Sequence, residues 1–377
     1  MTTENTDSNF LPPLAFFIPG LNGGGAQRVF VTLVNTLVNM TDHPIHLVTS
    51  RGAGAFENLV DQRVRRVVLG HHNVSRSLLS LARYIREERP LAMVSTLDYC
   101  NVVFLMSTLF ARVPLRKIIR EANVLPEEYA SARERYRVQT LRALMRLVYR
   151  RADHVIIITE DVQLSLLKHR IVSSERMTRI PNPLAPPDQG VRPDRFLGCS
   201  TRRFILAIGR LSYQKGFDIL IKAFQHLSNE KLDLVILGDG PLRHDLQCLA
   251  NSLGVGRRVH MPGFVQSTEQ FLHNASLFVL SSRWEGFSNV LLEALAAGTP
   301  IVATDCPGSS RELLQEGRLG RLVTGREPKE LADAMQKELN SESSTRTARK
   351  ARAAEFSPER IAKMYLRIMT ADVALPG

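Results

Sequence analysis

The stretch "RWEGFSNVLLEALAAGTPIVATD", residues Arg283–Asp305, decides the fold of this chain. It follows the apolar run "LFVLSS" and contains a loop, a capped helix ended by a Gly and a nearby Pro, and a second apolar run. That order is typical of a strand–loop–helix–strand unit on a parallel sheet. Two acids lie inside it, Glu285 in the loop and Glu293 about one turn into the apolar helix. Each needs a partner, because burying a carboxylate costs on the order of several kcal/mol.

Both halves of the chain repeat this alternation of short β-rich runs and helical runs, with a Pro-rich passage between them. The pattern predicts an α/β fold with two Rossmann-like, doubly wound domains facing each other across a cleft. The predicted boundaries are an N-terminal domain over 1–185, a linker over 186–202, a C-terminal domain over 203–355 and a helical tail over 356–377. Strands are predicted to begin at Leu14, Ile45, Ala92, Arg116, His154, Arg203, Leu232, Leu277 and Pro300.

The composition is that of a globular protein with an excess of basic residues. The 377 residues are 44% hydrophobic, and 49 Lys and Arg against 37 Asp and Glu give a formal net charge of +12. This excess favours an anionic partner such as nucleotide phosphates, lipid headgroups or nucleic acid. The N-terminus lacks a signal-peptide pattern, and no apolar stretch approaches the roughly 18 residues of a spanning helix. A cytoplasmic location is therefore expected, with peripheral association at the membrane as an alternative.

The loops after the strands are the candidate ligand-binding segments, because open parallel sheets bind ligands at the carboxyl ends of their strands. In "IGRLSYQKGFD", Arg210 and Lys215 follow Gly209, and two cations at such a place suit a diphosphate. The loop "LGDGPLR" carries Gly238 and Gly240. It is either a nucleotide contact or a plain tight turn.

The first glycine-rich loop, "PGLNGGGAQR", is not a dinucleotide fingerprint. Its glycines do not match the G-x-G-x-x-G spacing, and the second strand ends in "VTSRG" without an acid to hold a ribose. Gly24 and Gly25 still allow an anion to approach the backbone closely. The chain also lacks the D-x-D, H-E-x-x-H, Walker and G-x-S-x-G motifs, so metal-bridged phosphate chemistry, zinc hydrolysis, NTPase and esterase activities are disfavoured.

Residues 131–151 form an arginine-rich segment with two open interpretations. Apolar residues recur there at helical spacing, and the arginines greatly outnumber the acids. The segment is either a basic amphipathic helix that lies on the anionic inner leaflet of a membrane, or a surface helix whose apolar stripe packs on the core. Few aromatic residues are interleaved with the arginines, so binding of single-stranded nucleic acid is disfavoured.

These motifs together resemble family 4 of the retaining glycosyltransferases, which have the GT-B fold. The resemblance spans Leu14 to Val323 and is carried mainly by "GRLSYQKGFDILIKAF", "LVILGDGPLR", "MPGF" and the opening stretch. "NGGGAQR", "REANV" and "IPNPL" agree more loosely. The resemblance implies metal-independent transfer of a hexose, favouring UDP-hexose or UDP-N-acetylhexosamine as donor. The implied acceptor is a lipid-linked, lipopolysaccharide or capsule-type glycan, with no cofactor.

The resemblance also implies residue roles. Glu285 would hold hydroxyls of the donor sugar, Glu293 would hold the ribose, and Arg210 and Lys215 would stabilise the diphosphate leaving group. The other implied donor-binding residues are Gly24, Gly25, Gly209, Gly238, Gly240, Phe264, Gly286, Phe287, Ser288, Asn289, Val290, Gly308 and Ser309. The implied acceptor-side residues are Glu121 and Asn123, in the N-terminal domain. The tail helix would pack back on the N-terminal domain.

The chain departs from the family pattern at two places. Ala122 stands at about the position where many members carry a histidine, and Ser309–Ser310 replaces the Gly-Pro of one subgroup. Donor assignments from that subgroup are therefore not carried over. The alternatives are a nucleotide-sugar epimerase of the same fold and a non-catalytic nucleotide-sugar-binding protein, which turnover would distinguish.

Overall fold

The computed structural model describes residues 11–52, 54–125, 132–186, 203–227, 231–265, 267–341 and 345–371. The expected linker lies outside these residues except for residue 186. Within them, the first sheet has seven parallel strands in the order β3-β2-β1-β4-β5-β6-β7. Their bounds are β1 Leu14–Ile18, β2 Ile45–Thr49, β3 Arg65–Val68, β4 Ala92–Thr96, β5 Arg116–Glu121, β6 His154–Ile157 and β7 Met177–Arg179.

The second sheet has six parallel strands in the order β10-β9-β8-β11-β12-β13. They are β8 Arg203–Ile208, β9 Leu232–Leu237, β10 Val259–Gly263, β11 Leu277–Leu280, β12 Ile301–Thr304 and β13 Arg321–Val323. In each sheet the strand order reverses beside the first strand, at β1/β4 and at β8/β11. Such a switch point is where doubly wound sheets bind ligands. The predicted α/β architecture of two doubly wound domains is confirmed.

Four strands were not predicted from the sequence: β3, β7, β10 and β13. All four lie at the edges of their sheets. Three of β3's four residues are exposed, β7 and β13 have three residues each, and β10 contains a proline. Edge strands are commonly short, charged or interrupted by Pro, because this discourages pairing with other chains. The alternation that identifies interior strands is therefore missing from these four.

Helices cover the faces of both sheets. The described α-helices are Gly25–Leu37, Leu78–Glu88, Asp98–Ala111, Ala132–Val148, Glu160–Lys168, Phe217–Gln225, Arg243–Ser252, Glu269–Asn274, Asn289–Ala297, Ser310–Leu313, Pro328–Leu339, Arg346–Ala354 and Pro358–Thr370. The last of these begins with a Ser357 cap and Pro358 at its first turn. It buries Ile361, Tyr365 and Met369 in the core of the first sheet, so this helix packs on the first domain.

Candidate functional site

The loops after β8 and β11 are locked together by Arg283, which is buried. Its guanidinium donates to the two carboxylate oxygens of Asp218 at 2.9 and 2.7 Å and to the carbonyl of Tyr213 at 2.7 Å. It also stacks on the Tyr213 ring, 3.9 Å from the centroid. Sequence reasoning did not single out Arg283 or Asp218, although the arginine opens the deciding stretch. Their pairing fixes where Lys215 and Glu285 stand.

Glu285 has its partner in the neighbouring loop. Its side chain is almost fully buried, and its Oε1 accepts hydrogen bonds from Lys215 Nζ at 2.6 Å and from Ser282 Oγ at 2.5 Å. Among the described residues, Oε2 has no hydrogen-bond partner. A buried carboxylate oxygen without a partner can accept short hydrogen bonds from a ligand's hydroxyls.

Glu293 is paired by residues outside its own helix. Thr268 Oγ1 donates to Glu293 Oε2 at 2.8 Å, and Arg28 Nη1 of the first domain lies 4.0 Å from Oε1. Burial raises the pKa of Glu293, and the charge of Arg28 and the Thr268 hydrogen bond oppose that rise. Neither partner was predicted. Arg28 ends the quoted motif "NGGGAQR", so a search for cations after the glycine loop could have found it.

The glycine-rich loop of the first domain lies against the second domain. A Cβ on Gly25 would lie 2.8 Å from Asn289 Nδ2, and one on Gly23 would lie 3.5 Å from the Phe264 ring. Asn182 Nδ2 donates to Asn289 Oδ1 at 2.7 Å. The structure thus brings the first glycine loop, Phe264 and the start of the Asn289–Ala297 helix together at one place in the cleft.

Glycine is required on the other side of Glu285 as well. A Cβ on Gly286 would lie 1.8 Å from the carbonyl oxygen of Ala122, and one on Gly308 would lie 2.7 Å from the carbonyl oxygen of Glu285. Gly308 also has a positive φ of 132°. Its N–H donates to Asp161 Oδ2 at 2.5 Å across the cleft, and Ser309 Oγ accepts from a backbone N–H of the 286–289 loop at 2.8 Å.

Some of the remaining donor-side residues line the cleft, and others pack against neighbouring parts of the protein. Arg210 is exposed at the mouth of the cleft, while Gly209 packs on the aliphatic stem of Lys215. Cβ atoms on Gly238 and Gly240 would clash with the backbone of 209–211 at 2.0 to 2.9 Å. These two glycines therefore support the cationic loop. Phe287 packs its ring against Phe356, whereas Ser288 and Val290 lie at the start of the 289–297 helix.

The two acceptor-side residues differ in orientation. Glu121, 2% exposed, points into the first domain, where its Oε1 accepts from Tyr149 Oη and from Asn101 Nδ2 at 2.8 Å. Burial raises the pKa of Glu121 to about 7. Asn123 is exposed and lies beside Gly286. Glu121 is thus placed to hold the 122–123 loop, and Asn123 is the residue of the pair that reaches the cleft.

The arginine-rich helix Ala132–Val148 has two apolar faces. Met145 and Val148 are buried and Leu141 is half-buried, so the apolar stripe found in the sequence packs on the core. The opposite face exposes Tyr136 and Leu147, at 74% and 69%. Exposed cations surround that face: Arg135, Arg137, Arg146, Arg150 and Arg151. Over the part of the chain that the structure describes, no helix has the length and apolar character needed to cross a bilayer.

A groove of about 580 Å³ runs between the two domains beside Gly308. It is lined by side chains of both charges: Glu160, Asp161, Arg179, Asp305, Arg311, Glu312 and Glu316. Arg311 pairs with Asp305 and with Glu316, the latter at 2.8 Å, and Arg179 lies 3.8 Å from Glu312. Carboxylates and guanidinium groups of this kind hydrogen-bond well to a hydroxyl-rich ligand.

Two family models match the chain over most of its length. A model described as "Glycosyl transferase 4-like domain" matches residues 24–183, and one described as "Glycosyl transferases group 1" matches residues 196–356. Among solved structures, HepE of Anabaena in complex with UDP and glucose superposes with a TM-score of 0.80 at 20% identity. The match covers 95% of this chain and 99% of HepE. It shows a shared fold.

Two curated relatives are similar in sequence. One is the N-acetylgalactosamine-N,N'-diacetylbacillosaminyl-diphospho-undecaprenol 4-alpha-N-acetylgalactosaminyltransferase of Campylobacter jejuni, 26% identical over 326 residues. That alignment covers 82% of this chain and 85% of the relative. The other is the lipopolysaccharide core biosynthesis glycosyltransferase LpsE of Rhizobium meliloti, 35% identical over 170 residues, or 44% of this chain and 49% of LpsE.

Proposed function

Because the chain belongs to the family 4 glycosyltransferases, we propose that it transfers a hexose or N-acetylhexosamine from a UDP-linked donor to a lipid-linked or lipopolysaccharide-type glycan. The transfer retains the configuration of the sugar and needs no metal ion. One observation carries this proposal: the buried Glu285 is held by Lys215 at the switch point of the second sheet. That pair offers an acceptor for sugar hydroxyls beside a cation for the leaving diphosphate.

The charges at the site fit the departure of a nucleoside diphosphate. As the bond to the sugar breaks, negative charge builds on the leaving phosphate oxygen, and preorganised cations stabilise it. Lys215 and the exposed Arg210 supply those cations, and the N-terminus of the Asn289–Ala297 helix adds free N–H groups. When Lys215 binds the diphosphate, Glu285 loses one hydrogen-bond donor. It then accepts hydrogen bonds from hydroxyls of the donor sugar. Glu293 accepts hydrogen bonds from the ribose hydroxyls.

The choice of UDP and of a lipid-linked acceptor draws on the relatives. HepE has been solved with UDP and glucose, and the Campylobacter relative is named for a diphospho-undecaprenol substrate. In this chain, the groove of about 580 Å³ is lined by Gly308, whose Cα lies close to the backbone of Glu285. The exposed face of the Ala132–Val148 helix would hold the enzyme at an anionic membrane surface, where such acceptors reside.

Neither alternative from the sequence is favoured by a specific observation. A nucleotide-sugar epimerase would share the fold, and a non-catalytic protein would share the nucleotide site. The experiment that separates all three is turnover: release of UDP together with a glycosylated product supports a transferase. Epimerised nucleotide sugar without product, or UDP binding without turnover, would point to one of the alternatives.

The first prediction separates the two acids. Glu285→Gln should lower kcat by about 100-fold or more, because its contacts with the sugar strengthen in the transition state, and should not weaken UDP binding, because UDP lacks those hydroxyls and Lys215 no longer has to leave an ion pair. Glu293→Gln should raise KM and weaken UDP itself, because a ribose contact exists in both states. The measurements are kcat, KM and UDP Kd. The matched control is Glu327→Gln, an exposed acid of the same domain. Full turnover by a folded Glu285→Gln protein would refute the assignment.

A second prediction concerns metal ions. Since Lys215 and Arg210 are assigned to the leaving group, the rate of sugar transfer should be the same with and without excess EDTA. The comparison is made on one protein sample with initial rates before and after addition of the chelator. A rate that vanishes with EDTA and returns on titration with Mg²⁺ or Mn²⁺ would overturn the metal-independent proposal.

A third prediction tests the membrane surface. Each basic residue near an anionic bilayer contributes about 1 kcal/mol, and salt screens it. Replacing Arg135, Arg150 and Arg151 together by Glu should therefore abolish sedimentation with anionic vesicles, and added salt should do the same to the wild type. The control carries the same charge change on the second domain, at Arg257, Arg318 and Lys329. Equal binding of wild type to neutral and anionic vesicles, or equal loss in both variants, would contradict it.

A further inference from the structure

Glu293 lies beside a small space between the two domains. The walls come from the Gly25–Leu37 helix, residues 183–185 and the Asn289–Ala297 helix. Among the described residues that line this space, Arg28 is the one charged side chain besides Glu293 itself. Thr268, at the start of the adjacent Glu269–Asn274 helix, contributes a hydroxyl, and Glu269 of that helix pairs with His273 at 3.5 Å. The charge of Arg28 is therefore the compensation that the first domain supplies to this acid.

The contacts leave hydrogen-bond acceptor positions of Glu293 unused. An ionised carboxylate has about four acceptor positions, and Thr268 occupies one of them on Oε2. Arg28 faces Oε1 from 4.0 Å, which is an ion pair too long to be a direct hydrogen bond. Free acceptor positions thus remain for two neighbouring hydroxyls. A neutral acid would accept them more weakly, because hydrogen bonds to an ionised group are roughly twice as strong.

We propose that Arg28 is a positioning residue for the nucleotide: its guanidinium faces Glu293 across the domain boundary and keeps it ionised, so that the carboxylate accepts hydrogen bonds from the ribose hydroxyls. This inference rests on the proposed nucleotide-binding role of Glu293. The two residues belong to different domains, and the arrangement of the domains in this structure already places them face to face. The hydrogen bond between Asn182 and Asn289, one turn of helix away, joins the two domains at the same place.

The dependence of UDP affinity on pH should show how Arg28 acts on Glu293. Burial raises the pKa of Glu293, and Arg28 is the largest opposing influence. Arg28→Gln should raise that pKa further, so the carboxylate becomes protonated at a higher pH. It then accepts hydrogen bonds from the ribose hydroxyls more weakly. At a pH below this raised pKa, the Arg28→Gln variant should bind UDP about tenfold more weakly than the wild type, a difference of about 1.4 kcal/mol. Its affinity for UDP should recover as the pH rises. Arg28→Lys keeps the charge and should bind UDP nearly as the wild type does.

The experiment measures UDP Kd by calorimetry across pH for the wild type, Arg28→Gln, Arg28→Lys and Glu293→Gln, and for the double variant Arg28→Gln/Glu293→Gln. The double variant should bind UDP no more weakly than Glu293→Gln alone, because Arg28 acts through that acid. The Arg28→Gln substitution should weaken the binding of UMP and of uridine by the same factor as the binding of UDP. A loss that persists without Glu293, or that disappears for uridine, would show that Arg28 contacts the phosphates and would overturn the proposal.

A second readout needs no nucleotide and keeps this inference separate from the proposed function. With ¹³C-labelled glutamate, the carboxyl resonance missing in Glu293→Gln identifies Glu293, and its titration gives the pKa in ligand-free protein. Arg28→Gln should raise that pKa and Arg28→Lys should restore it. An unchanged pKa would overturn the role of Arg28 even if UDP binds. An unchanged UDP affinity in Glu293→Gln would instead refute the ribose assignment.

Discussion

The ion pair between Lys215 and Glu285 is the interaction on which the site depends. Both side chains are largely withdrawn from solvent, and the pair joins two loops that are 70 residues apart in the chain. Removing one partner of a buried pair leaves an uncompensated charge, which costs about 3–5 kcal/mol. The pairing of Arg283 with Asp218 behind it, and the hydrogen bond from Ser281 Oγ to the Lys215 carbonyl at 2.9 Å, fix both loops. Such preorganisation is what a site needs to stabilise charge as it develops.

The site is built from both domains. The second domain supplies the acids, the cations and the helix N-terminus, while the first supplies the glycine loop, Arg28 and the Asp161 carboxylate that accepts from Gly308 N–H. The glycines at 25, 286 and 308 permit this closeness, because a side chain at any of them would meet the other domain or the neighbouring loop within 3 Å. The site is therefore complete only when the two domains are arranged as they are in this structure.

The interior of the fold and the positions of the two acids could be predicted from the sequence. Interior strands of a parallel sheet are continuous apolar runs, and the loops after them are where ligands bind. The edge strands β3, β7, β10 and β13 lack that signal. The partners of the acids could not be predicted, because Lys215 and Arg28 approach them across 70 and 265 residues of chain. The partners of Glu121 were not predictable either, because Tyr149 and Asn101 lie 28 and 20 residues from it in the chain.

A crystal structure of the protein with UDP tests the central claim most directly. The account predicts that the ribose hydroxyls donate to Glu293 and that Lys215 Nζ moves from Glu285 Oε1 to a phosphate oxygen. The helix Asn289–Ala297 should then point its N-terminus at the diphosphate. UDP bound outside the cleft, or bound in it with the Lys215–Glu285 pair intact and no contact from Glu293, would contradict the account.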